Sequence, residues 1–339
     1  MTNVQNIETY IRQIPKAELH LHIEGTLEPE LMFAIAKRNN LKIPYSSVAE
    51  LKKVYNFHNL QEFLDIYFES TKVLQNTQDF YDLTFAYLQK AKQQNILHTE
   101  IFFDPQTHTE RGIKFATIIS GIHQALEDGE KQLGISSKLI MCFLRHLSED
   151  SASKTLHEAL PFKKWLVAVG LDSTEKNRPP EMFQNVFAKA RQEGLLTVAH
   201  AGEEGPAEYI WQALNLLKGS RIDHGDHAID DEVLMQELIT KQIPLTMCPL
   251  SNYKLQVTPD LNQHPLKTML DRGLQVTINS DDPAYFSGYI NENYLAMQKA
   301  QNLTMRDIYK LAENSFKASF LEAEKKQEML EKLQQFVPL

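Results

Sequence analysis

The chain has 339 residues, 42% hydrophobic and 23% charged, with a formal net charge of −9. This composition supports a large folded core and excludes a disordered chain. The acidic balance excludes the clustered Lys and Arg that grip a nucleic-acid backbone. Only Cys142 and Cys248 are present, so neither a disulfide framework nor a zinc ribbon is expected. The N-terminal stretch 1–17 has no continuous apolar segment, and no run reaches the roughly 18 apolar residues of a membrane span. The expectation is a cytoplasmic protein with reduced, buried thiols.

In chain order, short apolar runs read as strands at 17–23, 97–103, 138–144, 165–171, 195–199, 221–223, 244–247 and 274–278. Most are too short for helices. The runs 139–144 and 165–169 are nearly continuous in apolar residues, as in strands of a parallel sheet covered on both faces. Most of the segments between read as helices. One spans 181–192, with Gly194 placed to cap its C-terminus. Another spans 230–241, acidic at its start and closed by Lys241, which complements the helix dipole. Eight strands alternating with helices predict a (β/α)8 TIM barrel running through 1–339 as one domain. Residues 25–96, between the first two strands, are far too many for an ordinary βα loop. Within them 59–72 has a helical pattern, with Phe57, Leu60, Phe63, Leu64 and Tyr67 apolar. The insert is either a lid over the barrel mouth or a helical decoration. The amphipathic segment 305–336 is expected to pack on the barrel and carry no chemistry.

Polar residues gather at the ends of these strands. The first run ends Glu18-Leu19-His20-Leu21-His22-Ile23-Glu24-Gly25. Residues two apart on a strand face the same side, so His20 and His22 can both point into the barrel. The fifth strand runs on as Ala199-His200-Ala201-Gly202-Glu203, the sixth as Asp223-His224-Gly225-Asp226-His227, the eighth as Asn279-Ser280-Asp281-Asp282-Pro283. Each alone has a plain structural reading: packed histidines, a solvated turn after Glu203, an Asp-Asp-Pro cap. Together they deliver four histidines and several carboxylates to the C-terminal rim, where barrel enzymes build their sites. Three histidines and one carboxylate suit zinc, with a position left for water. A bound divalent ion lowers the pKa of that water to about 7. Barrels with two metals commonly need a bridging ligand, often a lysine near the end of the fourth strand. Here that end reads Gly170-Leu171-Asp172-Ser173-Thr174, so one metal is expected. The absence of Cys-x-x-Cys excludes the zinc deaminases that act on bases in nucleic acids.

The set His20-Leu21-His22, His200-Ala201-Gly202-Glu203, His224-Gly225 and Ser280-Asp281-Asp282-Pro283 resembles the motifs of the adenosine/adenine deaminases of the amidohydrolase superfamily. The resemblance runs in order over nearly the whole chain, and the motifs as a set are highly specific. It implies that His20, His22, His200 and Asp281 bind one Zn2+ per subunit. It implies further that Glu203 donates a proton to purine N1, that His224 orients the attacking water, and that Asp282 hydrogen-bonds N7. Asp281 could also take the water's proton. The partner is then a small purine, with no nucleic acid and no membrane. His227 is left with a structural role, because the site is complete without it.

Adenosine deaminases generally carry Asp two residues after the second histidine, reaching the ribose 5′-hydroxyl; this chain has Glu24. The stretch 22–30 is similar to the adenine-specific members, as are Phe102-Phe103-Asp104-Pro105-Gln106-Thr107-His108, Cys248-Pro249-Leu250-Ser251-Asn252 and Asp282-Pro283-Ala284-Tyr285-Phe286. Glu24 is one methylene longer than Asp and would intrude where a ribose must sit. It could also accept from the ring N–H of the free base, a donor the nucleoside lacks. Alternatively, Glu24 faces a neighbouring loop and the insert sets selectivity. The turn Asp172-Ser173-Thr174-Glu175 is expected to line the base pocket, with Ser173 near N3. The expected reaction is hydrolysis of adenine to hypoxanthine and ammonia in purine salvage. Adenosine or an N6-substituted adenine would use the same residues. From another class, the competing reading is an inactive zinc-binding barrel with a regulatory role.

Overall fold

The computed structural model describes residues 6–338; positions 1–5 and 339 of the expected 1–339 unit lie outside them. Eight parallel strands follow one another around the sheet: β1 Lys16–Glu18, β2 Ile96–Phe103, β3 Ser136–Leu144, β4 Leu166–Asp172, β5 Leu196–Ala201, β6 Arg221–His224, β7 Leu245–Met247 and β8 Val276–Ile278. The ring closes just beyond the ladders. Leu21 bridges Asp281, the His22 amide donates to Asp281 O at 3.0 Å, and the Asp281 amide donates to His20 O at 3.1 Å. This is the TIM barrel that the alternating pattern predicts.

The first strand departs from the reading at 17–23. Its ladder ends at Glu18, because the Leu19 amide turns to the Asn279 side-chain oxygen at 2.9 Å. Leu21 and His22 then return as isolated bridges. The two histidines therefore hang from a segment held at three points rather than from a regular strand. β5 and β6 run past their predicted ends, taking His200 and His224 into the sheet.

The barrel interior is a thin apolar layer of Phe102, Ile140, Cys142, Ala168 and Val198. Below it, at the N-terminal end, Arg221 pairs with Glu100, donates to Leu19 O at 3.0 Å, and lies over the Phe320 ring. Phe320 follows the helix Met305–Ala318, which buries Ile308, Leu311, Ala312 and Phe316 against the barrel. The C-terminal segment packs as expected and also plugs the barrel floor.

The 25–96 insert forms several helices. Leu60–Thr71 begins at Asn59, whose side chain accepts the Glu62 amide, and ends at Lys72. Its buried face, Leu60, Phe63, Leu64 and Tyr67, packs on Leu255, Tyr285 and Phe286 from beyond β7 and β8. The helix lies across the C-terminal mouth of the barrel, as a lid would. The helix expected at 181–192 is a 3-10 turn Pro180–Phe183 leading into Gln184–Gln192, and the one at 230–241 is Glu232–Lys241, capped by Asp231.

Candidate active site and metal centre

Three histidines converge through the same ring atom. His22 Nε2 lies 3.2 Å from His200 Nε2 and 3.4 Å from Asp281 Oδ1. His20 Nε2 lies 3.2 Å from Asp281 Oδ1 and is buried with no hydrogen-bond partner. With metal–nitrogen bonds of about 2.0–2.1 Å, two ligands of a tetrahedral zinc stand roughly 3.3 Å apart. These three pair distances match that spacing, His20, His200 and Asp281 lie within 4.8 Å of one another, and His22 adjoins two of them, so the residues present fit the ion that the sequence implies.

The opposite ring atoms fix the tautomers. His200 Nδ1 faces Leu171 O at 3.1 Å; a carbonyl only accepts, so Nδ1 carries the proton and Nε2 keeps its lone pair. Thr246 Oγ1 donates to Asp223 Oδ1 at 2.9 Å and is therefore free to accept from His20 Nδ1 at 3.0 Å. His22 Nδ1 faces Asp172 Oδ2 at 3.5 Å. Such outer partners orient metal-binding imidazoles and raise their basicity. His22, Asp104 and Asp172 form a second group within ligand reach of one another. Its imidazole is already divided, with Nε2 toward His200 and Asp281 and Nδ1 toward Asp172.

His224 shares the cluster: its ligand atom lies within 4.8 Å of those of His20, His200 and Asp281, with Nε2 4.0 Å from Asp281 Oδ2 and 3.6 Å from Glu203 Oε2. Burial, reinforced by His20, pushes its pKa well below the usual histidine range. Both His224 and Asp281 hold left-handed backbones, at φ 64 and 62. Non-glycine residues adopt that region at a cost of about 1–3 kcal/mol, and such strain clusters where side chains are aimed for function. Burial and the neighbouring Asp281 raise the Glu203 carboxyl well above the ordinary glutamate range, which favours the protonated form a proton donor needs. Asp282 fits only because residue 25 is glycine: a Cβ there would overlap Asp282 Oδ1.

The cleft over this cluster is lined by His22, Asp104, Asp172, Glu203, His224 and Asp282, and by Leu60, Phe63, Leu64 and Tyr67 of the helix across the mouth. Ser173 lines it too, with Oγ 2.7 Å from His146 Nδ1. Glu24 does not. Its Oε1 accepts from His108 Nε2 at 2.9 Å and from the Asp104 amide at 3.2 Å, which sets it one layer behind the wall. His227 turns away to Asp230 and is half exposed, consistent with a structural residue.

Three contributors escaped the motif reading. Glu175 accepts the amides of Gly202, Glu203, Glu204 and Gly205 at 2.7–3.0 Å. Asp104 stands on the cleft wall at the end of β2. Tyr67 donates to Asp104 Oδ2 at 3.1 Å. Each lies in a stretch singled out by sequence, yet an isolated carboxylate or tyrosine has no spacing pattern to mark it.

The adenosine deaminase family model matches residues 15–336. The chain belongs to the adenosine deaminase family. Within it the chain is similar to an adenine deaminase of Hahella chejuensis, 58% identical over 98% of this chain and 99% of that protein. An adenine deaminase of Acinetobacter baylyi is 58% identical over 97% and 99%. Among solved structures, adenine deaminase from Arthrobacter aurescens superimposes with a TM-score of 0.94 at 45% identity, covering 96% of this chain and 99% of that one.

Proposed function

We propose that this protein hydrolyses adenine to hypoxanthine and ammonia, serving purine salvage in the cytoplasm. The observation that carries this reading is the convergence of three histidine Nε2 atoms and Asp281 at ligand spacing beside the buried Glu203, whose pKa burial raises. Relatives named adenine deaminase along the whole chain supply the substrate. His20, His22, His200 and Asp281 would hold one Zn2+ per subunit. When bound, that ion supplies a water ionised near neutral pH and polarised for attack.

The chain's own residues then do the following. Glu203 delivers its proton to purine N1, which draws electron density from C6 and leaves that carbon open to attack. His224, kept neutral by burial, orients the attacking water from Nε2, while Asp281 takes the water's proton and returns it to the amino group, which leaves as ammonia. Asp282 hydrogen-bonds N7 and fixes the ring in its plane. The apolar lid residues Leu60, Phe63 and Leu64 cover the base and exclude bulk water, which strengthens each charge interaction beneath them. Among the described residues no Lys or Arg lines the cleft, so a nucleotide phosphate would find no counter-charge from them there.

The reading is tested by removing the metal with a chelator and restoring it with zinc. Ammonia release from adenine is expected to fall to background and to return with one zinc per chain. Full turnover by metal-free protein would refute it.

A further inference from the structure

Deamination of a free base poses a recognition problem that the catalytic residues do not solve. Adenine and adenosine present the same N1, C6 and N7; they differ at N9, which carries a hydrogen in one and a sugar in the other. A site that selects the base needs an acceptor at that end of the ring.

Asp282 follows β8 and Asp104 follows β2, so the two carboxylates flank the β1 segment on either side. Both line the cleft. By strand order β2 stands across the barrel from β6, which carries His224. A purine with its N1–C6 edge toward Glu203 and His224 thus turns its five-membered ring toward β8 and β2. If Asp282 meets N7, the carboxylate next along the wall meets N9.

Asp104 has the hydrogen-bonding state for this. Tyr67 occupies its Oδ2, while Oδ1 is buried and has no partner. A buried carboxylate oxygen without a donor is costly unless a ligand supplies one. Glu24 also leaves one buried oxygen, Oε2, without a partner, but unlike Asp104 it does not line the cleft. Arg111 Nη2 donates to His108 Nδ1 at 2.8 Å, so His108 is protonated at Nε2 and donates to Glu24 Oε1. The same oxygen receives the Asp104 amide. Glu24 therefore grips the backbone of Asp104 from behind. Arg111 also donates to Thr71 O at 3.2 Å, tying this chain of bonds to the end of the lid helix.

We propose that Asp104, with Tyr67 from the lid, reads the imidazole N–H of the free base, and that Glu24 acts on selectivity by positioning Asp104. This rests on adenine deamination as the reaction. A site built to pair a substrate N–H can reject an analogue lacking it by about 10⁴–10⁵.

The test compares adenine with 9-methyladenine, which removes only the N9 hydrogen, in wild type, Asp104→Asn, Tyr67→Phe and Glu24→Gln. Zinc content and circular dichroism are checked for each protein. Asp104→Asn is expected to cut kcat/KM for adenine by about 10²-fold, mostly through KM, and to change that for 9-methyladenine less than threefold. Tyr67→Phe is expected to move the ratio the same way by about tenfold, and remains informative if the Asp104 variant folds poorly. Calorimetric binding of hypoxanthine against 9-methylhypoxanthine should show the same loss without turnover. An unchanged substrate ratio in both Asp104→Asn and Tyr67→Phe would overturn the proposal, as would a ratio that collapses only in Glu24→Gln. Failure of wild type to release ammonia from adenine would instead refute the assigned reaction, and the binding comparison would still judge Asp104.

Discussion

Glu203 rides on a loop whose amides all turn to one buried carboxylate, Glu175. The proton donor's position is thus set from outside the motif that contains it. Glu203→Gln is expected to keep fold and metal while lowering kcat by at least the 10²–10⁴ typical of a lost general acid; near-normal turnover would remove Glu203 from the mechanism. Glu175→Ala leaves buried amides without an acceptor, at about 1–3 kcal/mol each where water cannot enter. A thermal melt should show a midpoint several degrees lower, with kcat reduced although zinc is retained. The pH dependence follows from the raised Glu203 pKa. The acid works while protonated, so activity is present below its folded pKa and lost as pH rises through it. Stability has the same sign, because the folded state holds the proton to higher pH than the unfolded chain. The kcat/KM profile for adenine should fall on the alkaline side. At this scale the histidines and Asp281 were legible because His-x-His and Asp-Asp-Pro at strand ends are spacing patterns. Asp104 and Glu175 were not, since what marks them is the partners they meet in three dimensions.

Strands and helices were legible where periodicity is strong. The lid helix begins and ends where its pattern does, from Asn59 to Lys72, because an Asn cap and an apolar stripe are both local signals. The first strand was over-read, because its break depends on the Asn279 side chain 260 positions away competing for the Leu19 amide. Whether the insert covers the mouth was open in the sequence; its partners Leu255, Tyr285 and Phe286 follow β7 and β8 in segments that only barrel closure brings near. Phe63 is the centre of that packing, with rings of Phe57, Tyr67, Tyr285 and Phe286 around it. Phe63→Ala is expected to raise KM for adenine about tenfold or more while shifting the global unfolding midpoint little, because Phe63 packs in a cluster apart from the barrel core. Steady-state kinetics beside a urea titration would check this, and an unchanged KM would contradict it.

Across the whole molecule the two ends of the barrel are built differently. The C-terminal end holds buried polar atoms without protein partners, among them His20 Nε2, Asp104 Oδ1 and Glu203 Oε1, on the residues proposed to meet the metal and the base. The N-terminal end is closed by the Glu100–Arg221 pair under Phe320. Burial pushes the Glu100 pKa up, but Arg221 and His98 hold it below the usual range. Arg221→Met should destabilise the fold by about 3–5 kcal/mol, because it strands a buried carboxylate. Measured by urea unfolding, the loss should shrink as pH falls and Glu100 takes up a proton. Eight strands in order made the barrel readable from sequence, whereas the buried ion pair on its floor left no mark there. No helix among the described residues is long and apolar enough to cross a membrane. The central claim is best tested by ammonia release from adenine, adenosine and N6-methyladenine, measured side by side on protein of known zinc content. The account expects adenine to exceed both others by orders of magnitude in kcat/KM, with hypoxanthine as product. Equal or faster turnover of adenosine, or no turnover by zinc-loaded protein, would contradict it.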